Sequence, residues 1–319
     1  MKTRRHRYLL LLLPLLIGAC SRHAVPADDA APTSGSRPYV SRQPDSPLSL
    51  YNRGIALKEQ GDYDAALEAF DASLRLDPQN AQAYHERGFI RMLRKEFDLA
   101  LDDFSRAISI NRLLTEATHN RAALYILSGR YDEAIADYTR IIENNPDDFL
   151  AYGNRGIANS VEGNLDAALH DLDRALALNP DLAEPLYTRG IVHLRKGNIG
   201  QGIEDLTTFL AGNPDRPEAW LERGGAYLET EKPAEALADA ERALLLAPED
   251  DDALFLRATA LDRLAKAAEA AEAYRQFLQR DLPPDQEEHR EEAAERLNEL
   301  EEKLAPPKPS RKHYRKKKI

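Results

Sequence analysis

The 319-residue chain contains a single cysteine, Cys20, and few aromatic residues, which make up 7% of the sequence. One cysteine excludes an intrachain disulfide and a CxxC redox pair. Leu, Ala, Glu, Asp and Arg dominate instead, and there are only 16 glycines. This composition is typical of helices packed on helices and disfavours a large β-sheet.

Motifs that carry chemistry are missing as well. The sequence has no glycine-rich phosphate loop, no nucleophile elbow and no cluster of metal-ligand residues. His85 and His119 lie 34 residues apart, but two histidines without a third ligand rarely hold a metal. We therefore predict a non-enzymatic protein without metal or cofactor.

The N-terminus has the pattern of an export signal. Lys2, Arg4, Arg5 and Arg7 precede a leucine-rich run that is too short to span a membrane comfortably. The run ends in Ile17-Gly18-Ala19-Cys20, which resembles the lipobox of bacterial lipoproteins. The resemblance implies cleavage of residues 1–19 and lipidation of Cys20. An ordinary signal peptide or a twin-arginine signal are the alternatives, although the residues after Arg4-Arg5 fit the latter poorly.

Residues 20–46 form the predicted tether between the lipid and the folded part. They are polar, with prolines at 26, 32, 38 and 44, and should be disordered with a reach of about 30 Å. Ser21, rather than aspartate, follows the cysteine, so the resemblance favours the periplasmic face of the outer membrane. Removal of residues 1–19 takes the formal net charge from −11 to −15, because it deletes four basic residues and no acid.

A 34-residue period organises the chain from residue 47. The units are 47–80, 81–114, 115–148, 149–182, 183–216, 217–250 and 251–284. Position 8 of each unit is Gly54, Gly88, Ala122, Gly156, Gly190, Gly224 or Ala258, and position 20 is alanine or glycine throughout. Bulky residues recur at position 24: Phe70, Phe104, Tyr138, Leu172, Leu206 and Tyr274. Small residues let two helices approach closely, and larger ones would overpack the crossing.

This period and these positions resemble the tetratricopeptide repeat family. The resemblance implies an all-α, right-handed α-solenoid of seven helix-turn-helix repeats. Prolines such as Pro78 and Pro146 should end the second helices, whereas Arg112 takes that place in repeat 2 and predicts a looser joint. Repeat 7 is degenerate at its turn, Ala265 to Ala267. Residues 285–304 should form a capping helix that starts with a capping box of Asp285 and Glu288 and buries Ala293, Leu297, Leu300 and Leu304.

A row of opposite charges follows the same period. Position 7 is arginine in every repeat and position 23 is aspartate in five. We predict a structural ion-pair ladder of Arg87, Arg121, Arg155, Arg189 and Arg223 with Asp103, Asp137, Asp171, Asp205 and Asp239. The alternative is an arginine stripe that binds anions.

In this family the first helices line a concave groove, and its positions are here mostly apolar and aromatic. The lysine and asparagine pattern that clamps a peptide carboxylate in some members is incomplete. The predicted partner-binding residues, centred on repeats 2 to 5, are Tyr51, Asn52, His85, Phe89, His119, Asn120, Asn154, Ile157, Tyr187 and Ile191. The alternative is a groove filled by a segment of the same protein, such as the tether.

Residues 305–319 form a basic tail, which should be disordered. Its positive residues from 311 onward are Arg311, Lys312, Arg315, Lys316, Lys317 and Lys318. They suit anionic lipid, an envelope polymer or the acidic surface of the chain itself. Nucleic acid would suit the charge but not the predicted compartment, so no nucleic-acid partner is expected.

These features together predict a scaffold or adaptor that is anchored to the bacterial envelope and binds envelope proteins or peptides. An assembly lipoprotein of the pilotin type, acting in secretion or polysaccharide export, is the alternative within the same class. An envelope enzyme is the alternative from a different class, and a cytosolic co-chaperone would require an unprocessed N-terminus.

Overall fold

The computed structural model describes residues 46–305, which fold into fifteen α-helices and one 3₁₀ turn with no strand in that range. The predicted all-α class is confirmed. The first helices of the seven repeats are α1 (Pro47–Glu59), α3 (Ala81–Leu93), α5 (Thr115–Leu127), α7 (Phe149–Glu162), α9 (Ala183–Arg195), α11 (Pro217–Glu229) and α13 (Asp251–Arg263). The second helices are α2 (Tyr63–Leu76), α4 (Phe97–Ile110), α6 (Tyr131–Asn144), α8 (Leu165–Leu178), α10 (Ile199–Gly212), α12 (Pro233–Leu246) and α14 (Ala267–Leu278). The last helix is α15 (Glu287–Leu304).

Several predictions lie outside the described residues. They concern the signal peptide 1–19, the lipidated Cys20, the tether up to residue 45 and the basic residues after 305.

The chain divides into two compact units, one ending at Thr188 and the other beginning at Arg189, within α9. In the first unit, α1 packs on α2, α3 on α4, α5 on α6 and α7 on α8, and each hairpin packs on the next. In the second unit, α11 packs on α12, α13 on α14 and α14 on α15. The first helices of neighbouring repeats also contact one another, as α1, α3, α5 and α7 do in the first unit.

Position 8 is small because it touches the bulky residue at position 24 of the same hairpin. A Cβ atom added at Gly54 would lie 2.6 Å from the Phe70 ring, and one at Gly156 would lie 2.8 Å from Leu172. Phe70 and Leu172 are themselves fully buried. A larger residue at position 8 would therefore force the two helices of a hairpin apart.

The turn inside each hairpin uses a left-handed residue at position 15. Four repeats place glycine there, with φ between 72° and 90°, as at Gly61 and Gly163. Lys95, Glu231 and Ala265 adopt the same conformation with φ of 62°, 57° and 58°. The turn at Ala265 also keeps its closing bond, from Lys266 N to Leu261 O over 3.1 Å. The degenerate sequence of repeat 7 thus does not change the backbone of its turn.

The joint after repeat 2 keeps its hydrogen bonds although it lacks proline. Asn111 Oδ1 accepts from Leu113 N over 3.1 Å, and the Asn111 carbonyl accepts from Leu114 N over 3.1 Å. The proline-containing joint at Asp77 has the same pair of bonds. The side chain at position 31, an Asx turn, closes both joints, so no structural sign of the expected looseness is found.

The helix α15 lies where the first helix of an eighth repeat would lie. Gln286 Nε2 donates to Asp252 Oδ1 over 2.6 Å, and Arg296 Nε donates to Asp262 Oδ2 over 2.8 Å. Both bonds join residues 34 positions apart, the spacing of equivalent residues in successive repeats. The cap is therefore built as a half repeat.

The start of the helix α15 differs from the prediction. A 3₁₀ turn, Pro284–Gln286, precedes α15, and the N-cap of the helix is Gln286, whose side chain makes no capping hydrogen bond, so the helix does not begin at Asp285 as predicted. The consecutive prolines 283 and 284 account for this, because proline restricts the residue before it to extended backbone. Ala293 and Leu300 are buried, whereas Leu304 is 48% exposed.

Candidate partner-binding surface

The first helices of each unit form a continuous surface, which we call the first-helix face. In the first unit it belongs to α1, α3, α5 and α7. Its aromatic side chains at position 5 pack against the rings at position 24 of the second helix. The ring centroids lie 5.9 Å apart for Tyr51 and Phe70 and 5.8 Å apart for His119 and Tyr138. The face is thus continuous with the hairpin cores, which holds its side chains in place.

The ten predicted groove residues differ in their accessibility. The buried ones are His85, Asn120, Ile157 and Tyr187, with 8%, 1%, 5% and 6% of their surface exposed. The accessible ones are Asn52, which is exposed, and Tyr51, Phe89, His119, Asn154 and Ile191, which are half-buried. Only this second group has enough accessible side-chain surface to contact a partner. Of its members, Ile191 belongs to the second unit.

A polar network crosses the first-helix face from α1 to α5. Asn120 Nδ2 donates to His85 Nε2 over 3.0 Å, which leaves the His85 proton on Nδ1, 3.5 Å from Glu86 Oε1. Lys58 Nζ donates to Glu86 Oε2 over 2.6 Å and lies 5.6 Å from the centre of the Phe89 ring. The network links three successive first helices, so the floor of the face is held rigidly.

This network controls the charges on the face. Burial opposes ionisation of Glu86, but the hydrogen bond from Lys58 and the nearby His85 ring together outweigh burial and lower the pKa of Glu86. Burial, with a smaller effect of the Glu86 charge, raises the pKa of Tyr51 to about 12. At neutral pH the face therefore presents an ionised Glu86 beside a neutral Tyr51 phenol.

A second polar contact ties α5 to the start of α7. His119 Nε2 donates to Asp148 Oδ2 over 3.1 Å, while Asp148 Oδ1 caps α7 by accepting from Ala151 N over 2.9 Å. Burial is the largest single influence and works against the charge, but the interactions with His119 and the backbone hydrogen bonds from Ala151 and Leu150 together outweigh burial and lower the pKa of Asp148. Sequence reasoning missed Lys58, Glu86 and Asp148, although the first two occupy positions 12 and 6 of the repeat, where groove residues are expected.

The arginine and aspartate rows meet inside each repeat. The Nε and Nη2 atoms of each arginine lie 2.6–3.0 Å from the two carboxylate oxygens of its aspartate. The pairs are Arg87–Asp103, Arg121–Asp137, Arg155–Asp171, Arg189–Asp205 and Arg223–Asp239. All five aspartates are at most 7% exposed. Bidentate geometry and burial make these strong, structural pairs.

The remaining arginine donor reaches the preceding repeat. Arg155 Nη1 donates to Thr139 Oγ1 over 3.0 Å, and Arg87 Nη1 donates to Asp71 Oδ1 over 2.6 Å. The hydrogen bonds to Asp171 raise the pKa of Arg155. Since the donors are used within the protein, the geometry favours the structural interpretation of the arginine row over anion binding. In the first and seventh repeats alanine stands at position 23, as Ala69 and Ala273, so Arg53 and Arg257 lack this partner.

In the second unit the first-helix face belongs to α11 and α13, with α15 beside them. Phe255 at position 5 stacks on His289 of α15, with ring centroids 4.3 Å apart and planes 12° apart. On α11 the surface is open around Gly225, where an added Cβ atom would meet no other atom within 4 Å. Leu221 and Leu228 flank this glycine and are half-buried.

Residues 46–305 show neither a metal-binding cluster nor a membrane-spanning helix. No group of three or more His, Cys, Asp or Glu side chains in that range is placed to hold a metal ion. None of its helices is both long and apolar enough to cross a bilayer.

Comparison with known families matches the chain to tetratricopeptide repeat models at residues 47–80 and 116–148, 155–223 and 217–250. A tetratricopeptide repeat protein from Parabacteroides merdae is 21% identical over 80% of this chain and 98% of its own, with a TM-score of 0.57. The Pseudomonas aeruginosa protein pilF is 18% identical over 67% and 97%, with a TM-score of 0.58.

The protein YrrB, described as having an unusual peptide-binding site, is 19% identical over 59% of this chain and 97% of its own, with a TM-score of 0.52. No curated protein matches the sequence significantly. At these identities the likeness to solved structures shows the fold alone.

Proposed function

Because this chain belongs to the tetratricopeptide repeat family, whose members are generally non-catalytic scaffolds for protein–protein interaction, we propose that it binds a peptide segment of partner proteins along the first-helix face of its first unit. This proposal rests on the row of accessible side chains along the first-helix face, above the polar network that links α1, α3 and α5. Tyr51 and Phe89 supply apolar area, while Asn52 and Asn154 can bond a peptide backbone.

The test is cross-linking and recovery of partners from intact cells. The variant Phe89→Asp with Asn52→Ala changes accessible residues and should keep the fold, whereas a change at Ile157, which is 5% exposed, would unfold it. Leu99→Asp is the matched control, since Leu99 is 47% exposed on the second helix α4. Partners held by the native chain and by the control, but lost by the double variant, support the proposal. Equal recovery by all three folded chains contradicts it.

We also propose that the scaffold is a lipoprotein held by Cys20 on the periplasmic face of the outer membrane, where it gathers envelope proteins. The basic start, the apolar run and the residues Gly18-Ala19-Cys20 support this. Several acyl chains on one residue anchor a protein firmly to a bilayer. Cys20→Ser should abolish incorporation of labelled fatty acid and move the protein from the membrane to the soluble fraction. A native chain that takes up no label would rule out the anchor without touching the peptide-binding proposal.

A further inference from the structure

Gly225 is a glycine in a helix interior that the fold does not require. It is the ninth residue of the thirteen in α11, where glycine is the least favourable choice after proline. The glycines at position 8 are needed because a Cβ there would collide, but Gly225 faces open space. Gly200 and Gly212 also face open space, yet they lie at the two ends of α10, where glycine is tolerated. Something other than the described fold must account for the small residue at 225.

The surroundings of Gly225 combine apolar surface with an exposed acid, and Arg263 of α13 donates to the Leu228 carbonyl over 2.9 Å. Leu221 and Leu228 lie one turn from Gly225 on either side, and the exposed Glu229 directly follows Leu228. The sequence from 189 to 305 has 27 Asp and Glu against 15 Lys and Arg. A segment that carries an aromatic or aliphatic side chain between several positive charges would match this surface.

We propose that the basic segment 306–319 of the same chain binds the first-helix face of the second unit, with the ring of Tyr314 over Gly225. The segment contains Lys308 and six further Lys or Arg residues around that tyrosine. The missing side chain at 225 leaves room for the ring between Leu221 and Leu228. Glu229 then faces the positive charges beside Tyr314.

The chain between α15 and Tyr314 is long enough. Since α15 takes the place of a first helix, α11, α13 and α15 lie side by side, about 10 Å apart. By the repeat register Gly225 is level with Ala293 of α15, and Ala305 lies twelve residues beyond Ala293, about 18 Å along the helix. Tyr314 must therefore reach a point roughly 27 Å from Ala305, and nine extended residues span about 30 Å. Tethering gives the segment a high effective concentration at this face.

Disulfide trapping in the full chain tests the proposal. Cys20→Ser first removes the native thiol, and His313→Cys, which leaves the Tyr314 ring in place, is then combined either with Glu229→Cys or with Glu241→Cys, an exposed position on the second helix α12 of the same unit. Under mild oxidation at low salt, the pair with residue 229 should close roughly ten times faster than the pair with residue 241. High salt should reduce this preference, because screening weakens the charge attraction.

A third chain carries Gly225→Leu together with the cysteine pair at residue 229. The leucine side chain fills the space over residue 225 that the Tyr314 ring would occupy, so this pair should no longer close faster than the pair with residue 241. Equal closure of the two pairs overturns the proposal. So does a preference that survives Gly225→Leu. Disulfides formed only between two chains would assign the face to a second copy and likewise overturn binding within one chain.

Discussion

At the scale of the residue, the guanidinium at position 7 joins a buried aspartate in five repeats and meets alanine in two. Arg155→Met should lower the free energy of unfolding by about 3 kcal/mol, since it leaves Asp171 buried without its partner. Arg53→Met is the matched control at the same position. It should change stability by less than about 0.5 kcal/mol, because Arg53 is exposed and Ala69 stands where its aspartate would be. Denaturant unfolding of both variants gives the comparison, and equal losses would show that the pair is not the source of stability.

Tyr51 offers a test of the electrostatics of the first-helix face. Its folded pKa, raised to about 12, exceeds the ordinary value near 10, so the neutral phenol is the form the fold favours. Its contribution to stability is therefore full below pH 10 and is lost as the pH rises from 10 to about 12. The ultraviolet titration of the native chain minus that of Tyr51→Phe should show one tyrosine ionising near pH 12. A difference midpoint near pH 10 would mean that the Tyr51 phenol is not buried as the structure describes.

At the scale of the element, the hairpin turns compare glycine with other residues in one conformation. Lys95→Gly should raise the free energy of unfolding by about 1 kcal/mol, because Lys95 holds φ at 62°, where a Cβ atom is strained. Gly61→Ala places a Cβ in the same conformation and should lower stability by about 1 kcal/mol. Chemical denaturation that shows no opposite change in the two variants would mean that the turns do not control hairpin stability.

The elements also show how far the sequence leads. The period, the small residue at position 8 and its bulky neighbour at position 24 follow from residue size alone, so the helix pairs were predictable. The left-handed Lys95 and Ala265 were not, because no glycine marks them and neighbouring helices impose the turn. The aspartate partner of Arg155 recurs at a constant spacing, whereas its bond to Thr139 uses a position that varies between Asp, Ser and Thr. The burial of His85 and Asn120 depends on their bond to each other, which no single repeat reveals.

At the scale of the whole molecule, each repeat is stabilised mainly by its neighbours, so damage should stay local. Leu300→Asp puts a charge into the contact between α15 and α14, since Leu300 is 2% exposed. Hydrogen exchange should accelerate in α13, α14 and α15 and remain unchanged in residues 46–188. Leu304→Asp is the control, because Leu304 is 48% exposed and its replacement should leave exchange as it is. Faster exchange throughout the chain would indicate one cooperative body instead.

The pairing of the arginine and aspartate rows has a consequence for how such a chain can lengthen. Arg87, Arg121, Arg155 and Arg223 each bond the aspartate at position 23 of their own repeat and the residue at position 25 of the repeat before it. Copying or deleting a block of 34 residues within repeats 2 to 6 therefore leaves every arginine of those repeats opposite an aspartate, whereas inserting a few residues shifts one partner away from the other. Gene duplication in whole repeats is thus a nearly neutral route to a longer or shorter protein, and small insertions are confined to the turns between helices.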